Sequence, residues 1–238
     1  MAGDVGRTVV MIEAQAPPEA IRRAYDLWSW LYGWIAVPLE EKARMLGLDE
    51  VAVRSGETVL EVAVGPGATF VEILRRVGPG GSVVGVDLSP RMLDRTRQRA
   101  LRAGWRDVDV KEADARRLPF DDGTFDVLFN SYMLDLIPLG EMSLVLGEFL
   151  RVLKPGGRLA LVNFSKRVPG RRTLWERGYE ALPRRWVPYV AGGCRPVVMS
   201  GAVERAGFCD LRQQFVPGLL PSEVVIARKP GSAAQSGG

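Results

Sequence analysis

From Thr58 onward the chain alternates short, unbroken apolar runs with longer stretches in which apolar residues recur every three or four positions. ETVLEVAV (57–64) is rich in valine and stops at a glycine, the pattern of a strand buried on both faces. ATFVEILRRVG then has helical spacing and closes at Gly78-Pro79-Gly80-Gly81. GSVVGVDL (81–88) is a second buried strand. Ser89-Pro90 opens the next helix, because serine suits the N-cap and proline the first helical position. That helix, RMLDRTRQRALRAG, ends at Gly104. DVDVKEA (107–113) and FDVLFNS (125–131) are the third and fourth strands. GEMSLVLGEFLRVL puts Met142, Val145, Leu146, Phe149, Leu150 and Leu153 on one helical face, and Lys154-Pro155-Gly156-Gly157 ends it. GRLALVNFS (157–165) is the fifth strand. Strands alternating with helices predict a doubly wound parallel sheet covered on both faces.

The flanks read differently. Residues 1–18 form a loose arm and 19–50 a helical cap that Pro38 breaks or kinks. Between Tyr25 and Trp34 the cap carries Trp28, Trp30 and Tyr32, so it either packs on the core or covers an apolar substrate. Residues 51–165 form the core and 166–198 an insert where Arg171, Arg172, Arg177, Arg184 and Arg185 interleave with Trp175, Tyr179 and Trp186. Such a stretch is an ordinary solvated face or a surface for anionic lipid or substrate. In 199–229 a short helix precedes two strands joined only by Pro-Gly-Leu-Leu-Pro, too short a link for a crossover, so they pair antiparallel. The sheet thus has seven strands, mostly parallel with an antiparallel C-terminal strand; 230–238 is a flexible tail.

The chain contains no histidine, which excludes Ser-His-Asp and Cys-His hydrolase mechanisms. Cys194 and Cys209 are too few for a disulfide framework or a zinc site, so no metal is expected. The net charge of +4 comes mostly from arginine and does not by itself call for nucleic acid. With no apolar leader and no run of membrane-spanning length, the expectation is a cytoplasmic protein, with peripheral membrane contact through the aromatic and basic segments.

The chemistry concentrates in VLEVAVGPGATF (59–70). In a doubly wound sheet, ligands bind beyond the carboxyl ends of the strands, at the first strand-to-helix turn. Gly65 and Gly67 leave that turn open to close approach. Asp87, about twenty residues on at the end of the second strand, can accept both hydroxyls of a ribose. A dinucleotide site wants a third glycine where this chain has Phe70. An adenosine ligand without phosphates, such as S-adenosylmethionine, has no such need. Glu61 adds a carboxylate for its amino group or for ordered water.

The segments VLEVAVGPG, VVGVDLSPRML, ADARRLPFDDGTFDVLFNSYML and EFLRVLKPGGRLALVNFS resemble, in order, the class I S-adenosylmethionine-dependent methyltransferases. Ala63, the NFSK segment, Arg195-Pro196 before AGF and Tyr25-Asp26 are most similar to the ubiquinone/menaquinone-biosynthesis C-methyltransferase (methyltransferase type 11) group. The resemblance implies a Rossmann-like sheet and S-adenosylmethionine as cofactor. It also implies that Glu61, Ala63, Gly65 and Gly67 line the methionine and ribose end, with Asp87 on the ribose and Leu88 on the adenine. Asp114 would meet the adenine amino group, beside Ala115; Asn130 and Ser131 would face the methionyl group, and Tyr25 would close from the cap. Asp135 and Tyr132 are the candidate catalytic groups, and Tyr32, Trp175, Tyr179 and Arg195 the candidate acceptor contacts. Asp135 can equally be a helix-edge carboxylate and Tyr132 a packing residue.

Methyl transfer from a sulfonium is a direct displacement, so positioning and exclusion of water matter more than a dedicated base. The expected acceptor is a lipophilic or aromatic small molecule resembling a quinone precursor. A phospholipid-amine or soluble small-molecule N- or O-methyltransferase is the alternative. A nicotinamide-dependent oxidoreductase, a non-catalytic adenosyl-binding protein and an RNA methyltransferase fit the residues less well, the last for want of an Asn-Pro-Pro-aromatic tetrad at Asn130.

Overall fold

The structure, a computed structural model, describes residues 40–165, 181, 195–218 and 221–231. The arm, most of the cap with Tyr25 and Tyr32, nearly all of the insert with Trp175, Tyr179 and Cys194, and most of the tail lie outside the described residues.

Helical residues 40–51 (α1) lead into β1 (Thr58–Val62), α2 (Ala68–Val77), β2 (Ser82–Asp87), α3 (Pro90–Arg102), β3 (Asp109–Glu112) and β4 (Phe125–Ser131). Then follow α4 (Leu139–Val152), β5 (Leu153–Phe164), α5 (Ser200–Arg205), β6 (Cys209–Val216) and β7 (Ser222–Arg228). The strands form one sheet in the order β3-β2-β1-β4-β5-β7-β6. β1 pairs parallel with β2 on one side and with β4 on the other, so the winding reverses between β1 and β4. β7 runs antiparallel to both β5 and β6.

The valine-rich runs are explained by burial on both faces. Val59, Phe129, Val162 and Ile226 point into the layer shared with α1, α2 and α3. Their neighbours Leu60, Leu128, Leu161 and Val225 point into the layer shared with α4 and α5. Ser89 caps α3 as its spacing predicts, its hydroxyl accepting from the Met92 amide. Helix α4 stops one residue earlier than its periodicity suggests: Leu153 is extended and pairs with Phe125. The Lys154–Gly157 turn is then absorbed as a register shift, since Val127 pairs with Arg158. The apolar spacing ran through Leu153 because the side chain enters the same core from a strand. β6 is an edge strand with mostly exposed residues, where Arg212 and Gln214 blunt further pairing.

Polar residues are buried where β5 meets β7. Asn163 and Glu223 sit opposite each other on the α4/α5 side. Glu223 accepts from the Met199 amide, at the start of α5, and from the Gln213 side chain. Burial pushes its carboxyl up to about 7, against those two hydrogen bonds. The folded state therefore holds a proton that the unfolded chain releases near its ordinary value of 4.5. The stabilisation is complete below that value and is lost as pH rises to about 7, by about 3 kcal/mol. Glu223→Gln should flatten urea-unfolding stability across that window, and an unchanged slope would refute the assignment.

Candidate functional site

The site lies at the carboxyl ends of β1, β2 and β4, where the winding reverses and the sheet opens a crevice. The glycine turn at its floor is fixed from two sides. The Asp87 carboxylate accepts from the Gly65 amide at 2.9 Å and, through its other oxygen, from the Ser89 amide at 2.9 Å. The Thr96 hydroxyl, reaching from α3, donates to the Gly65 carbonyl at 2.9 Å. Gly67 adopts φ +78°, and a Cβ there would lie 2.8 Å from the Thr96 Cα, so only glycine lets α3 press this close. Gly65 differs: at φ +54° its missing Cβ would meet nothing within 4 Å, leaving the turn open to the cavity.

Phe70 is fully buried, and its ring lies over Gly85 of β2, where a Cβ would come within 2.9 Å of it. The close approach of helix to sheet uses a glycine on the strand instead of one on the helix. This accounts for a turn that opens like a dinucleotide fingerprint yet lacks its last glycine.

Of the residues expected to hold a cofactor, Ala63, Gly65, Asp87 and Leu88 line the cavity from the ends of β1 and β2. Asp114, Ala115 and Ser131 line it as well. Glu61, Gly67 and Asn130 stand behind the lining. Asn130 is buried and donates to the Val62 carbonyl at 2.9 Å, while its own oxygen has no partner. Glu61 is also buried, and its Oε2 has no hydrogen-bond partner. Burial raises its pKa well above the carboxylate range; the Arg44 charge opposes this and Asp87 adds to it. Asp114 is gripped by Arg116, whose Nη2 lies 2.6 Å from Oδ2 and whose Nη1 lies 2.9 Å from Glu141 on α4. That hydrogen bond is the main reason the Asp114 carboxyl stays below its ordinary pKa.

Tyr132 lines the cavity and Asp135 does not. The Tyr132 hydroxyl shares a 2.7 Å hydrogen bond with Ser222, and burial raises its pKa more than that bond lowers it. Asp135 is fully buried within the β4–α4 loop. Arg195 is fully buried as well, and its guanidinium donates to the carbonyls of Asp135 and Ile137.

Four charged lining residues were not foreseen: Glu40, Arg44, Arg116 and Glu141. Glu40 and Arg44 form a buried ion pair of 2.8 Å on α1. Their i, i+4 spacing predicts the pair, but nothing in a single sequence says that this face of α1 meets the glycine turn.

This residue set fits an adenosyl amino acid. Asp87 offers a carboxylate whose two backbone bonds do not by themselves saturate it. Leu88 offers an apolar face, 44% exposed. Arg44, paired with Glu40, adds a guanidinium to the lining beside the methionine end of such a ligand.

Residues 59–157 match the family model described as a methyltransferase domain. The chain is 32% identical over 171 residues to the demethylmenaquinone methyltransferase of Listeria monocytogenes, covering 71% of this chain and 68% of that protein. It is 34% identical over 149 residues to the ubiquinone/menaquinone biosynthesis C-methyltransferase UbiE of Hahella chejuensis, covering 62% of this chain and 58% of the relative. The chain belongs to the class I S-adenosylmethionine-dependent methyltransferases, of the UbiE type. The match to the Hahella protein therefore spans little more than half of that relative's length. Among solved structures, the [4+2]-cyclase SpnF superposes with a TM-score of 0.73 at 19% identity, covering 91% of this chain and 98% of SpnF. That likeness shows the fold alone, since one fold carries many chemistries. The family's cofactor is S-adenosylmethionine, and the cavity residues above are the ones that would hold it.

Asp87→Asn should weaken binding of S-adenosylhomocysteine by roughly 10- to 100-fold in calorimetry, the range for losing a charged hydrogen-bond acceptor. Ala63 holds φ +59° without being glycine. Ala63→Gly should raise unfolding stability by about 1 kcal/mol and leave that affinity within about twofold.

Proposed function

We propose that this chain transfers a methyl group from S-adenosylmethionine to a lipophilic or aromatic small-molecule acceptor of quinone-precursor character. The observation that carries the reading is the two-sided cavity. One side presents Asp87, Gly65 and Asp114, a nucleoside set; the other presents Tyr132, Met133, Leu136, Ile137 and Pro138, a largely apolar wall. The relatives named for demethylmenaquinone and ubiquinone/menaquinone biosynthesis support the same acceptor class.

When bound, the cofactor supplies an electrophilic methyl group on a sulfonium. The chain's own residues bind, orient and exclude water. Asp87 fixes the glycine turn and receives the ribose, and the Arg116 pair with Asp114 and Glu141 ties the adenine side to α4. The apolar wall keeps water from the reacting atoms. Tyr132 stays a neutral phenol because burial raises its pKa, so it positions instead of abstracting a proton. Asp135, which does not line the cavity, has no direct contact with the acceptor in this reading. An acceptor that arrives deprotonated, or passes its proton to water, needs neither group.

The place of work in this proposal is the cytoplasm, with the acceptor drawn from the membrane face. Among the described residues, no helix is long and apolar enough to cross a membrane. Purified protein given methyl-labelled cofactor and separated organic and aqueous extracts should label the organic extract. Label confined to the aqueous extract would replace the lipophilic reading with a soluble acceptor.

A further inference from the structure

The β4–α4 loop, Tyr132 to Pro138, forms the apolar wall of the cavity, and its first residue is held by the Val162 carbonyl and the Ser222 hydroxyl. Helix α4 starts at Leu139 with Pro138 as N-cap and no side-chain cap. Within the loop, the Leu136 amide bonds the Met133 carbonyl at 2.9 Å and the Ile137 amide bonds the Leu134 carbonyl at 3.3 Å. Those turns satisfy amides and leave the carbonyls of Asp135 and Ile137 facing inward. Buried carbonyls need partners as much as buried amides do.

Both carbonyls point at one side chain. The Arg195 guanidinium is fully buried, donates through Nη2 to Ile137, and makes a longer bond of 3.5 Å through Nη1 to Asp135. Residues 195–199 are themselves anchored. The Val197 amide bonds the Phe164 carbonyl at 2.9 Å, and the Ser165 hydroxyl bonds the Val197 carbonyl at 2.7 Å. Arg195 therefore projects from a segment fixed to the end of β5 into the second half of the loop. Burying a guanidinium is costly unless its donors are engaged, so loop and arginine hold each other in place. On the far side, Glu141 in the first turn of α4 is held by Arg116, which also holds Asp114. One arginine holds the wall through backbone carbonyls, and another holds the helix that follows it through carboxylates.

We propose that Arg195 is a positioning residue for the cofactor cavity: it sets the place of the Leu136–Pro138 wall through the Asp135 and Ile137 carbonyls and does not itself touch cofactor or acceptor. The proposal rests on the assignment of this cavity to S-adenosylmethionine. Lysine keeps the charge but cannot present two parallel donors to two carbonyls. Arg195→Lys should therefore fold and still weaken binding of S-adenosylhomocysteine about tenfold or more in calorimetry. Val203→Ala, a core change on α5 away from the cavity lining, should lower the melting temperature at least as far and keep that affinity within about twofold. The proposal is overturned if Arg195→Lys binds as wild type does, or if Val203→Ala loses affinity to the same degree. Should Arg195→Lys not be recovered folded, the wild-type protein labelled with nitrogen-15 arginine decides the matter. The Arg195 guanidinium signals must shift during titration with S-adenosylhomocysteine, at the midpoint shown by calorimetry; signals that stay in place overturn the proposal. Wild-type protein that fails to bind S-adenosylhomocysteine overturns the cofactor assignment, and this proposal with it.

Discussion

The Asp87 carboxylate holds the site together. Its two oxygens reach the Gly65 amide on one side and the Ser89 amide on the other. One side chain thus ties the turn after β1 to the start of α3. From α3, Thr96 returns to the Gly65 carbonyl and packs against Gly67. The turn can stay open to a ligand because it is braced from behind by a charge-assisted hydrogen bond. Without that brace, two left-handed glycines would be free to take many other conformations. The carboxylate proposed to receive a ribose therefore also builds the place where the ribose would sit.

Two of the four left-handed non-glycine residues, among the described residues, lie at the same crevice. Ala63 after β1 and Tyr132 after β4 are both left-handed without being glycine, at φ +59° and φ +51°. These are the two strands that flank the reversal of winding, and both residues line the cavity. Such conformations persist only where the surroundings over-determine them. Tyr132 is over-determined: its amide bonds the Val162 carbonyl at 2.7 Å and its hydroxyl meets Ser222.

Buried polar groups follow a similar pattern. Glu61, Asn130, Asn163 and Glu223 are all buried and lie toward the ligand-facing edge of the sheet. Glu61, Asn130 and Asn163 have side-chain atoms without partners, which a core built for stability alone would replace with apolar groups. Their cost is borne toward the edge of the sheet where the cavity opens. Glu223 lies farther out and is instead engaged by the start of α5 and by Gln213 on β6.

Much of this was legible in the chain itself. Two-faced burial writes continuous valine runs, and helical periodicity marks α2 to α4, so the alternating architecture follows from local patterns. A five-residue link leaves no room for a crossover, so the antiparallel pairing of β6 and β7 followed from chain length alone. The glycine turn and the acidic end of β2 lie close in sequence, and their motif is local too. Other features needed tertiary contacts. Sequence spacing could not show that α1 turns Glu40 and Arg44 toward the cavity, or that Arg116 bridges to Glu141. It placed Arg195 beside an acceptor, where the folded chain buries it against the carbonyls of residues sixty and fifty-eight positions earlier. Periodicity records which face of an element is apolar. It does not record which polar side chain from a distant segment will answer a buried carbonyl, because that pairing is decided only when the chain closes on itself.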